Sequence, residues 1–145
     1  MPIFTKDFAN LDYFHVVVVA IVGFAFGALW YSPVLFLKAW VAEMKLAGDA
    51  EPGGGGPARM LGAFLCTLVS TTVLAVLVVD HRSHGVVHGA ELGLLVGAGL
   101  VAARQGVTGI FERRSLRLFL ISAGHDVVLC VLQAAILTCW VEAVS

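Results

Sequence analysis

"LRLFLISAGHDVVLCVLQAAILTCWV", residues 116–141, decides the fold. A helix needs about 20 mainly apolar residues to cross a bilayer's hydrocarbon core. This stretch exceeds that, and apart from two cysteines only Arg117, His125 and Asp126 in it can carry charge. Lipid offers no partner to an unpaired backbone group, so the segment reads as a helix rather than a lone strand.

Working outward, three further runs have the same character. Residues 13–31 are apolar with tyrosine at each end, as interfacial belts require. Residues 60–79 form a second span, and residues 86–103 a third that contains Glu91 and many glycines. The 145 residues are 59% hydrophobic and only 13% charged. A soluble domain carries about 25% charged residues. The expectation is therefore an all-α, integral membrane four-helix bundle forming a single domain over residues 1–145, with the bilayer as its first partner. A net charge of −1, without a basic stripe, gives no footing for nucleic acid. The first run is followed by Trp-Tyr-Ser-Pro rather than a small-residue cleavage site, so it is expected to stay as an anchor.

Basic residues set the orientation. Lys38, Lys45, Arg59, Arg104, Arg113, Arg114 and Arg117 fall on one side, against Lys6 and Arg82 on the other. Positive residues stay in the cytoplasm, so both long connections are expected there and both termini outside. Within the first connection, residues 34–46 place Phe36, Leu37, Trp40, Val41 and Met44 opposite Lys38 and Lys45, the pattern of an interfacial helix. Residues 48–57 hold four consecutive glycines and read as a flexible linker. No Lys-Ser/Thr follows that run, so it is not a phosphate loop.

The block "FGALWYSPVLFLKAW" (Phe26–Trp40), with Trp30, Tyr31, Ser32, Pro33 and Trp40, and the block "IFERRSLRLFLISAGHD" (Ile110–Asp126) carry a resemblance. In order and over most of the chain, the sequence resembles the DUF1761 family of small four-helix membrane proteins. The resemblance implies the fold. It implies no catalytic residue, because the family's function is unknown.

Gly85, Gly89, Gly93 and Gly97 recur every fourth residue in the third span, and Gly23 and Gly27 share that spacing in the first. Such ridges let helices approach backbone to backbone. They suggest a packing, oligomerising or accessory subunit, with a second copy or another membrane protein as partner.

The polar residues suggest a rival role, a small proton-linked transporter or permease. Counted from Leu116, Asp126 falls about 15 Å along its helix, near the midplane. Ser122, Asp126, Cys130 and Gln133 share one arc of that helix, with His125 on its flank. Ser70, Thr71 and Thr72 of the second span are expected at Asp126's level, and Glu91 at that of Gln133. A polar track then runs from the outside to the midplane and stops there. Asp126 is either interhelical glue or a proton or solute site. Adjacency alone is not expected to pair it with His125, since neighbouring helix residues diverge by about 100°.

No cofactor is expected. Haem ligation by His125 or His15, and a divalent metal at His81, His84 and His88, stay as alternatives. Cys66, Cys130 and Cys139 are isolated and read as reduced packing residues. No Ser-His-Asp set, H-E-x-x-H or paired C-x-x-C occurs, so an enzyme reading is weak.

Overall fold

The computed structural model describes residues 8–9, 11–46, 56–80 and 85–144. Among these residues all regular structure is helical. The elements are α1 (Tyr13–Trp30), α2 (Leu37–Leu46), α3 (Gly56–Asp80), α4 (Val86–Val96), a π-helical stretch (Gly97–Ala102), α5 (Ala103–Phe111) and α6 (Leu116–Val144). Four stretches are long and apolar enough to cross a bilayer: α1, α3, the run Val86–Phe111, and Leu116–Trp140 of α6. The fold is the all-α four-helix membrane bundle that the sequence implies. Only 17–28% of each spanning segment is buried within the chain, so most of each helix surface is left for lipid.

Several bounds shift. The second helix starts at Gly56 rather than Met60, and the third runs past Ala103 to Phe111. Hydropathy falls at Arg104 and Gln105, but both are good helix formers, so the backbone continues where the apolar run stops. The interfacial helix begins at Leu37, because the preceding residues turn, with Phe36 N–H donating to the Trp30 carbonyl at 3.1 Å. Residues 47–55 of the expected linker lie outside the described residues, while Gly56 and Pro57 open α3, where proline's missing N–H costs nothing.

α6 is the hub and touches every other helix. A central helix is apolar on all sides, which suits a segment buried by protein on some faces and lipid on the rest. Against α4 it runs antiparallel at backbone distance. A Cβ added to Gly89 would lie 2.7 Å from the Ala134 carbonyl oxygen. At Gly93 it would lie 2.7 Å from Val131 Cα, and at Gly97 2.9 Å from Val127 Cα. Real Cβ atoms do not come so close, and backbone cannot yield as a side chain does. Gly85, the fourth of the series, is not part of this ridge. It caps α4 at φ 92°, a conformation that favours glycine.

Gly23 and Gly27 of α1 also face α6. A Cβ on Gly23 would meet Leu129 Cδ1 at 3.0 Å, and one on Gly27 would meet His125 Nε2 at 3.3 Å. Away from the basic connections, Val16, Val19, Leu74, Ala75, Val78 and Leu137 close the core.

Candidate polar site at the basic end

The site forms where the C-terminal end of α1, α5 and the first half of α6 meet. His125 and Asp126 are consecutive on α6, yet their side chains bend together, with His125 Nδ1 2.6 Å from Asp126 Oδ1. The expected divergence is overcome because side-chain torsions can swing two polar tips back across the gap between neighbouring Cα–Cβ bonds. Gln105 Nε2 donates to the other carboxylate oxygen, Oδ2. Asp126 is thus held from two sides, and its side chain is 30% exposed against 12% for His125.

The depth differs from expectation. At mid-height of α1, Gly23 faces Gln133, whereas Gly27, near its end, faces His125. Seven residues separate Asp126 from Gln133, so the carboxylate sits about 10 Å nearer the basic end. It is therefore offset along the bundle from the Gln133–Thr71 contact, toward the basic connections.

Three rings surround His125. Phe26 stacks at 5.6 Å and 14°, Tyr31 lies at 5.2 Å, and Trp30 meets it edge-on at 6.0 Å. Trp30 is fixed in turn, since its indole Nε1–H donates to the Ile121 carbonyl at 3.1 Å and its ring packs on Phe36 at 4.6 Å. Tyr31 lies beside Ser122 and packs against Trp40. The Trp-Tyr-Ser-Pro block therefore builds a cage around a histidine nearly a hundred residues away. Inside it, His125 Nε2 is buried without a hydrogen-bond partner among the described residues, as is Ser32 Oγ beside the cage residues in sequence.

The π-helical stretch aims Gln105. At 3.6 residues per turn, Gln105 would lie about 80° around the helix from Gly97, off the ridge. The wider i→i+5 turns of Gly97–Ala102 lag behind that rotation and bring Gln105 back toward α6. Beyond it, α5 and α6 flank a half-open cavity of about 410 Å³ lined by Arg104, Gln105, Thr108, Arg114, Phe119 and Ser122. The sequence suggested a polar track that ended at Asp126. Instead, Gln105 connects Asp126 to this cavity at the basic end.

α2 closes the neighbouring edge. Its Glu43 accepts from Ser115 Oγ at 2.5 Å and lies 3.7 Å from Arg117 Nη1, so the interfacial helix is tied to the start of α6.

The remaining expected site residues disperse. Thr71 does not reach Asp126; it accepts from the buried Gln133 Nε2 at 2.8 Å and donates to its own helix's Thr67 carbonyl. Ser70 and Thr72 likewise donate to backbone carbonyls of α3. The arc on α6 serves two partners, because α6 has helices on several sides. Glu91 is exposed, on the opposite face of α4 from Gly89, and is not beside Gln133. His15 is held by the helix-capping Asp12, Nδ1 to Oδ2 at 2.5 Å, and by the Trp140 ring at 3.6 Å. His88 is exposed, and His81 and His84 lie outside the described residues. Among the described residues no three His, Cys, Asp or Glu side chains converge on a metal-sized space. Cys66 and Cys139 are exposed rather than packed inside. Gln105, Arg104, Arg114 and Phe26 are the site residues that the apolar-run reading passed over. For Arg104 and Gln105 the signal is a polar step, Arg-Gln, at the end of the third span.

These features define a class, a four-span helical membrane protein with a caged histidine hydrogen-bonded to a carboxylate. The sequence matches the family described as DUF1761, protein of unknown function, over residues 14–138, and the chain belongs to that family. No curated protein and no solved structure matches it.

Proposed function

We propose that the protein is a small proton-linked transporter or permease in which the His125–Asp126 pair holds the exchangeable proton. The observation that carries this reading is the pair itself, bonded at 2.6 Å and joined through Gln105 to the cavity at the basic end. With one proton on Nδ1, His125 donates to Asp126 and leaves Nε2 as a lone pair inside the cage. A second proton makes an imidazolium, and the face of the stacked Phe26 ring attracts a cation. Both forms keep the Asp126 contact, so the site can gain and lose a proton without rebuilding its surroundings. A carboxylate within a span is otherwise costly and marks a functional position by default.

Glycine-ridge assembly draws less support. Gly89, Gly93 and Gly97 are covered by α6 of the same chain, which leaves them no room for a second one.

The orientation is part of the same proposal: basic end in the cytoplasm, both termini outside, and the proton exchanged with the cytoplasm. A reporter fused after Ser145 should read as non-cytoplasmic, and one inserted among Gly53–Gly56 as cytoplasmic. The reverse pair of readings overturns the orientation.

The functional test uses purified protein in liposomes containing a pH-sensitive dye. Under an imposed pH difference, with the membrane potential clamped, flux is measured with and without a panel of small organic and inorganic solutes. Asp126→Asn retains an acceptor for Gln105 and a donor for His125, so the protein should fold, yet an amide cannot release the proton. Flux above empty liposomes in the wild type, lost in Asp126→Asn, is expected. Equal flux in both, or none in the wild type with any solute, overturns the reading.

A further inference from the structure

We infer that the cavity between α5 and α6 is an oxyanion site that takes a phosphate group through Arg104 and Arg114. It goes beyond proton exchange and stands whether or not that reading holds, because binding is measured directly.

The lining is built for negative charge. Arg104 and Arg114 both line the cavity, and no carboxylate residue is among those that do. Arg104 forms no ion pair with any described residue, so its fork of donors is uncommitted. Arg114 is steered by Glu112, whose carboxylate takes Nε at 2.5 Å and leaves the two terminal nitrogens for another acceptor. A guanidinium fork matches tetrahedral oxyanions, which accept two parallel hydrogen bonds. Gln105 and Thr108 on α5 and Ser122 on α6 are the neutral polar residues of the lining.

Shape agrees with charge. A volume of about 410 Å³ exceeds what a bare ion needs and suits a phosphate carrying a small organic substituent. Gly109 is buried and open enough on the cavity side that an added Cβ would lie no nearer than 4.0 Å from Arg114 Cβ. Leu118 and Phe119 form an apolar wall that could hold that substituent. Basic pockets between spanning helices recognise anionic headgroups by the same chemistry, so the phosphate could belong to a lipid or to a free solute.

Two probes distinguish these sources, inorganic phosphate added to detergent-purified protein and phosphatidic acid doped into phosphatidylcholine nanodiscs. Binding is followed by calorimetry for the first and by the shift in thermal unfolding for the second. Arg104→Gln/Arg114→Gln should weaken binding about tenfold or more, since two charge-assisted contacts are lost. Arg113→Gln, with the same charge change as one of these but outside the lining, should stay within about twofold. If the double variant does not fold, Arg104→Gln alone, at an exposed position, should still weaken binding several-fold. A response to inorganic phosphate assigns a solute site, and a response confined to phosphatidic acid assigns a headgroup site. Binding of neither probe, or unchanged binding in Arg104→Gln, overturns the inference.

Discussion

Gly93→Leu is expected to yield little folded protein, and Gly93→Ala to destabilise the bundle by about 1–3 kcal/mol. The cause is geometric. The space a Cβ needs at Gly93 is occupied by the Cys130 carbonyl and Val131 Cα, which are backbone atoms in the middle of α6. A long side chain could rotate out of the way, but helix backbone moves only as a whole. Separating α4 from α6 would also lift Gly97 off Val127 and withdraw Gln105 from Asp126, so the loss extends to the polar site. Gly62→Ala is the matched control. That glycine is exposed on α3 with nothing within 4 Å, so alanine there gains about 1 kcal/mol of helix propensity and meets no obstacle. Thermal unfolding of all three variants in one detergent checks the contrast. Equal stability of Gly93→Leu and wild type would contradict the packing argument.

The spans were legible because a bilayer demands a long uncharged run, and that demand writes itself into composition. Their ends were less so. Hydropathy reports where lipid stops, not where the helix stops, and Arg104 to Phe111 continue as helix beyond the apolar run. Four-residue glycine spacing marked the ridge, but spacing cannot name the partner or separate a ridge glycine from Gly85, a helix cap.

The polar site was half legible. His125 and Asp126 are conspicuous in an apolar segment. Counting residues along α6 gave a depth, but the level of Asp126 against its neighbours follows from the stagger of α1 and α6, fixed by Gly23 against Gln133 and Gly27 against His125. That stagger lowered Asp126 away from Ser70 and Thr71 and left Thr71 to Gln133. Gln105 was hidden by the π-helical stretch, since a regular helical wheel turns it off the ridge. No residue pattern in Gly97–Ala102 announces the wider turns.

Asp126→Leu should destabilise the protein by about 2 kcal/mol, because it strands two partly buried donors, His125 Nδ1–H and Gln105 Nε2, with no acceptor. Asp126→Asn should cost less than about 1 kcal/mol, since both contacts can be remade with amide atoms. His125→Leu alone should cost a similar amount to Asp126→Leu, as it leaves a partly buried carboxylate with Gln105 as its one remaining partner. The double variant His125→Leu/Asp126→Leu should then cost clearly less than the two single changes added together, by about 1–2 kcal/mol, because neither orphan is left behind. Only Gln105 remains unpaired in it, and Gln105 borders the cavity, where water can reach it. Unfolding of the four proteins in the same detergent closes the cycle. Strict additivity would mean the two side chains do not act as a unit, and the proton assigned to the pair would have no shared place to sit. A coupled cycle together with a stable, flux-dead Asp126→Asn separates scaffold from chemistry: the hydrogen bonds hold the helices, and the ionisable oxygen does the exchange.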